Sequence, residues 1–173
     1  MDGKSEPGRP AGFWRRLAAL FYDLLLVIAL AAVATFAMLP ITRGEAILAS
    51  TQGAVGHAYH AVLLLLAFGY FGRSWTRSGQ TLGMKAWRIE LQTAAGGRLG
   101  WSGAAGRFLL GTGIALLAVL GAWYLRRPAS ALAATGAAAL VAPLAINYGW
   151  IPLNAARQSL QDLAGGTRVV RAR

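Results

Sequence analysis

Two of the six acidic residues in this 173-residue chain, Asp23 and Asp162, are placed where a carboxylate needs a partner or a purpose. Asp23 opens onto an uncharged apolar run, and a carboxylate at membrane depth costs on the order of 3 kcal/mol even on permissive insertion scales. Arg16 precedes it by seven residues, two helical turns, and so projects from nearly the same helix face. Their axial gap of about 10 Å is too long for a direct ion pair unless Arg16 folds along the helix. Asp23 is therefore expected to meet a cation from another segment, with Arg107 the candidate, or to carry a proton. The readings open to it are a buried ion pair that fixes helix register, a site handling a proton or small cation, or a misplaced span boundary. Asp162 lies shortly before Gly165-Gly166. It reads either as an ordinary helix-terminal carboxylate or as the point where the tail folds back onto the basic ends of the spans.

Other chemistry is poorly supplied. There is no cysteine, which removes disulfides, thiol catalysis and cysteine metal sites. His57 and His60 are three residues apart, but a metal needs more than two ligands and Glu45 is the sole acid nearby. No phosphate-binding loop, zinc-protease helix or nucleophile elbow is present. Gly79, Leu82 and Gly83 lie in a glycine-containing stretch that lacks the strand–helix context of a nucleotide site. The chain is not expected to be an enzyme or to hold a cofactor or metal.

Four uncharged windows, residues 24–42, 46–72, 108–125 and 128–156, must position these groups. Each is long enough, at about 1.5 Å per residue, to cross roughly 30 Å of hydrocarbon as a helix. The fold class expected is an all-α membrane bundle with spans at about 17–39, 53–72, 107–125 and 131–153. The run 17–39 is too long for a signal-peptide core and reads as a retained helix. Pro143 is expected to bend the fourth span, with an amphipathic or re-entrant segment as the alternative. Gly and Ala are frequent in the last two spans and permit close helix contact. The tyrosines, Tyr70 and Tyr148 among them, and Asn147 read as interfacial.

Residues 1–12 are polar and are expected to be disordered. In the loop 73–106, Trp87, Ile89 and Leu91 alternate with Arg88, Glu90 and Gln92, a strand period. Gly96-Gly97 then suggests a turn leading to Leu99 and Trp101, a short hairpin or an interfacial loop. Residues 154–173 form the tail.

The net charge of +11 suggests a polyanion partner, but its distribution argues for topology. Lys4, Arg9, Arg15, Arg16, Arg73, Arg77, Lys85, Arg88, Arg98, Arg107, Arg157, Arg168, Arg171 and Arg173 fall on one side of the spans. Arg43, Arg126 and Arg127 alone fall on the other. The positive-inside rule places both termini and the central loop in the cytoplasm, hence a cytoplasmic (inner) membrane location. Membrane lipids are the expected partners, with a homo-oligomer or a larger membrane complex, and no nucleic acid.

Three segments together resemble the RDD family of small bacterial and archaeal membrane proteins, named for an arginine and two aspartates. In Gly12-Phe13-Trp14-Arg15-Arg16 through Asp23, Arg16 matches the family arginine and Asp23 the first aspartate. The stretch from Gly79, Leu82 and Gly83 to Lys85, followed by Gly96-Gly97 and Arg107, looks like the family's cytoplasmic loop. Gln161-Asp162-Leu163-Ala164-Gly165-Gly166-Thr167 is similar to its closing motif, with Asp162 as the second aspartate and Gln161 where a histidine often stands. The resemblance implies one membrane domain over 13–173 and, through some members, cation/proton antiport. On that reading Asp23 is the protonatable site, Arg16 or Arg107 tunes it and Asp162 closes the cytoplasmic side. The rivals are a non-catalytic accessory or scaffold subunit, in which the charges are structural, and a lipid-headgroup binder using the basic loop.

Overall fold

Leu- and Ala-rich runs without internal charge form four long helices in the computed structural model, which describes residues 8–40, 42, 49–126 and 130–172. They are α1 (Phe13–Met38), α2 (Ala49–Arg77), α4 (Trp101–Leu125) and α5 (Ala131–Leu153), each long and apolar enough to cross a membrane. Between α2 and α4 come the short helix α3 (Leu82–Ala86) and strand β1 (Ile89–Thr93), and after α5 come α6 (Leu160–Ala164) and β2 (Thr167–Arg171). Gly53, at φ +51°, breaks the first turn of α2, so that span starts there. Helix α5 runs as one continuous helix through Pro143 and is long and apolar enough to cross a membrane. Bilayer helices tolerate proline because neighbouring groups recover the freed carbonyl. Helices α4 and α5 pack most extensively, with Ala118, Gly121 and Ala137 buried, as their small residues suggested.

Several expectations need correction. The helix that carries the third candidate span begins at Trp101, six residues before 107, and that of the second continues to Arg77. The turn at Gly96 forms, with the Gly96 amide donating to the Thr93 carbonyl (2.9 Å), but no hairpin follows. Strand β1 pairs instead with β2, antiparallel, with Leu91 opposite Val169 and Thr93 opposite Thr167. Alternation gave the buried face for Ile89 and Leu91, whereas Trp87 is exposed and precedes the strand, and periodicity carries no information about which strand lies alongside. Residues 9–11, placed in a disordered tail, lie along the other edge of β2. The Ala11 amide donates to Val169 (3.0 Å) and the Arg171 amide to Arg9 (2.9 Å). The expectation for residues 1–7, and those for Arg43, Glu45 and Arg127, fall outside the described residues.

The main hydrophobic core lies at one end of the bundle, here called the base. Ala19, Trp75, Met84, Ile89, Leu91, Leu99 and Val169 pack there, while few residues of the spans are buried. Both described ends of the chain meet in this base.

Candidate functional site

Two carboxylates organise the base, and they are treated differently. Asp162 stands in the first turn of α6, where Ser159 caps the helix. The Asp162 amide donates to Ser159 Oγ (3.1 Å), and the Ser159 amide returns to Asp162 Oδ2 (3.0 Å). This reciprocal cap orients the carboxylate toward two arginines. Arg16 Nη1 donates to Oδ2, and Arg107 Nη1 donates to Oδ1 (2.7 Å) and to Thr167 Oγ1 (2.8 Å). Asp162 is fully buried and Arg16 nearly so. Burial pushes the Asp162 carboxyl up, but Arg107 and Arg16, with the bonds from Arg16 and the Ser159 amide, outweigh it and hold the group below the usual carboxylate range.

The same arginines tie the chain ends together. Arg16 also donates to the carbonyls of Ala11 (3.2 Å), Arg157 (2.6 Å) and Val169 (3.4 Å). Gln161, where the resemblance led one to look for histidine, bridges two spans. Its amide donates to Asn147 Oδ1 (2.9 Å) and its Nε2 to the Arg107 carbonyl (2.7 Å). The tail does fold back onto the basic span ends, and Asp162 is the group that holds it.

Asp23 is not part of this cluster. Tyr70 Oη donates to its Oδ1 (2.7 Å), Thr81 Oγ1 donates to its Oδ2, and the Gly83 amide donates to Oδ1 (2.9 Å). All three donors are neutral, and among the described residues Asp23 makes no salt bridge. The expected partnership with Arg107 is thus corrected: Arg107 serves Asp162. The charges separate because α3 inserts beside α1 and brings its own donors to Asp23.

The glycine loop explains that insertion. A Cβ on Gly83 would lie 2.2 Å from the Ala19 carbonyl oxygen and 2.9 Å from Asp23 Cγ, so α3 seats on α1 only without one. Gly79 takes φ +71° and accepts the Leu91 amide (2.8 Å), which turns the chain from α2 toward α3. The side chains of Leu82 and Lys85 are exposed and stay outside the site. Leu82 contributes its amide, which donates to Tyr70 Oη (3.1 Å). Tyr70, Thr81, Asn147 and Thr167 were missed as site residues. Tyr70 and Asn147 had been read as interfacial, and position in a span does not reveal which face a polar group occupies. Thr81 and Thr167 stand inside the two loop motifs, which was the available signal.

Above the base the four spans enclose a cleft of about 450 Å³. Asp23, Thr81, Arg16, Arg107, Asn147 and Gln161 line its polar end, and Leu20, Leu24, Leu64, Ile114, Val119 and Leu144 its apolar walls. Trp75 also faces it, with the Arg107 guanidinium 5.7 Å from its ring centre. His57 and His60 are remote from the base on α2, and no metal-ligating group of three or more occurs among the described residues.

A family model described as the RDD family matches residues 10–166. No curated protein and no solved structure matches the chain.

Proposed function

The chain belongs to the RDD family and is an integral membrane protein, and from that premise we propose that it exchanges a proton against a small cation at Asp23. The observation that carries this reading is the setting of that carboxylate. It is buried, has only neutral donors among the described residues and lines the cleft between the spans. A buried carboxylate without a basic neighbour is balanced by a proton or a bound cation, and one site cannot hold both at once. Tyr70, Thr81 and Gly83 would keep the carboxylate oriented through the exchange. Asp162 plays no part in carriage, because two arginines already balance it, and it closes the base. No catalytic step is assigned.

The surplus of basic residues at the base supports placing it, with both termini, on the cytoplasmic side of the bacterial inner membrane. Four small helices leave little room for a complete pathway, so the carrier would work as an oligomer.

A second reading has its own support. The same bonds to Asp23 fasten α3 to α1 through Thr81 and Gly83 and α2 to α1 through Tyr70, and the spans are broadly exposed. These features suit an accessory subunit packed against a larger membrane complex, with Asp23 structural. Proton flux into proteoliposomes on adding Na⁺, K⁺ or Li⁺, read by an interior pH dye, separates the two. Exchange predicts cation-driven flux that Asp23→Asn abolishes in a folded protein, since Asn keeps the shape without the titration. A folded wild-type protein with no flux would sink exchange by this chain alone. A lowered melting temperature in Asp23→Asn, with no wild-type flux, would favour the structural reading.

A further inference from the structure

The Arg16–Asp162–Arg107 cluster, the lock of the base, carries one positive charge more than its own carboxylate balances. Arg16 and Arg107 share the single carboxylate of Asp162. Arg16 spreads its donors over Asp162 and three backbone carbonyls. Arg107 donates to described residues through Nη1 alone, yet it lines the cleft beside Trp75. Asp23 does not pair with either arginine and stands two turns further along α1. A cation with donors to spare thus meets a chamber whose walls are largely apolar. The chamber falls within the roughly 300–1,000 Å³ that ligand sites occupy. Its walls are joined unevenly: α4 and α5 pack closely, whereas α1 meets α2 and α5 along short seams. Those seams face the bilayer, so an amphiphile can enter sideways without crossing the packed base.

We infer that the cleft holds one acidic phospholipid from the surrounding bilayer. Its phosphate meets the spare donors of Arg107, one acyl chain lies between the spans and the other stays in the bilayer. Guanidinium donors match phosphate oxygens in charge and geometry. A zwitterionic lipid would bring its own cation to the same place and gain less. This inference does not depend on exchange at Asp23, and either can fail alone.

The test uses the whole protein in nanodiscs of equal phosphatidylglycerol and phosphatidylcholine, released into mild detergent and weighed by native mass spectrometry. One retained phospholipid is expected, with phosphatidylglycerol preferred about fivefold for a single arginine contact. Ala115→Phe on α4 and Ala67→Phe on α2 each fill the cleft from a different, adjoining wall without touching the lock. Either variant should lose the retained lipid while its melting temperature holds. Equal retention of the two lipids, or retention unchanged in both variants, would overturn the inference. So would a lipid-free dimer, which would mean that a second copy fills the cleft.

Discussion

Asp23 and Asp162 show how identical side chains acquire opposite characters from their donors. Asp162 takes two guanidiniums and its own helix cap, whereas Asp23 takes two hydroxyls and one amide. Gly83 decides the second arrangement, since any side chain there displaces α3 from Ala19 and Asp23. Gly83→Ala is expected to cost about 1–3 kcal/mol, the range for overpacking a filled site. Thermal unfolding in detergent should show a lowered midpoint. Gly136→Ala on α5, where an added Cβ meets nothing within 4 Å, is the control and should leave the midpoint level or raise it slightly. Equal midpoints for the two variants would contradict the seating of α3 on α1. The motif glycines were visible in the sequence, but the reason for them was not, because a close approach is a property of two segments.

Among the elements, β2 has the most to hold. It pairs with β1 on one edge and with residues 9–11 on the other, and its Val169 packs against the core beside Ile89 and Leu91. Val169→Asp places a charge in that core and should open the sheet. Arg88, whose carbonyl accepts the Ala172 amide (2.9 Å), would then be released from the tail. Trypsin should cut after Arg88 at least about tenfold faster than in the wild type, since cleavage follows the open population and about 1.4 kcal/mol of local destabilisation suffices. Unchanged cleavage would mean that β2 does not hold β1. The strand character of 89–93 was legible from alternation. Its partner was not, because the matching stretch lies beyond two spans and bears no local mark.

For the molecule as a whole, the Arg16–Asp162–Arg107 lock joins the start of α1, the start of α4 and the tail. Its pH dependence has a definite sign. The folded carboxyl of Asp162 lies below its unfolded value of about 3.9, so the lock contributes fully above that value and is lost as pH falls through the folded one. The melting temperature should therefore lose, below about pH 4, a component that Asp162→Asn lacks. At neutral pH the variant should be less stable by about 3–5 kcal/mol, because two buried guanidiniums lose their counterion. A variant whose acid profile parallels the wild type would argue that the lock adds no pH-dependent stability.

The sequence alone determined four helices long and apolar enough to cross a membrane, the buried face of β1 and the residues to watch. Those features follow from hydropathy, charge spacing and motifs, which act along the chain. The tertiary structure decided which charges meet. It gave Arg107 to Asp162, left Asp23 with Tyr70, Thr81 and Gly83, and laid β2 between β1 and the N-terminal segment. These pairings join residues between 47 and 162 positions apart. Their choice rests on which backbone can approach closely enough, and here that meant a glycine at position 83 against α1.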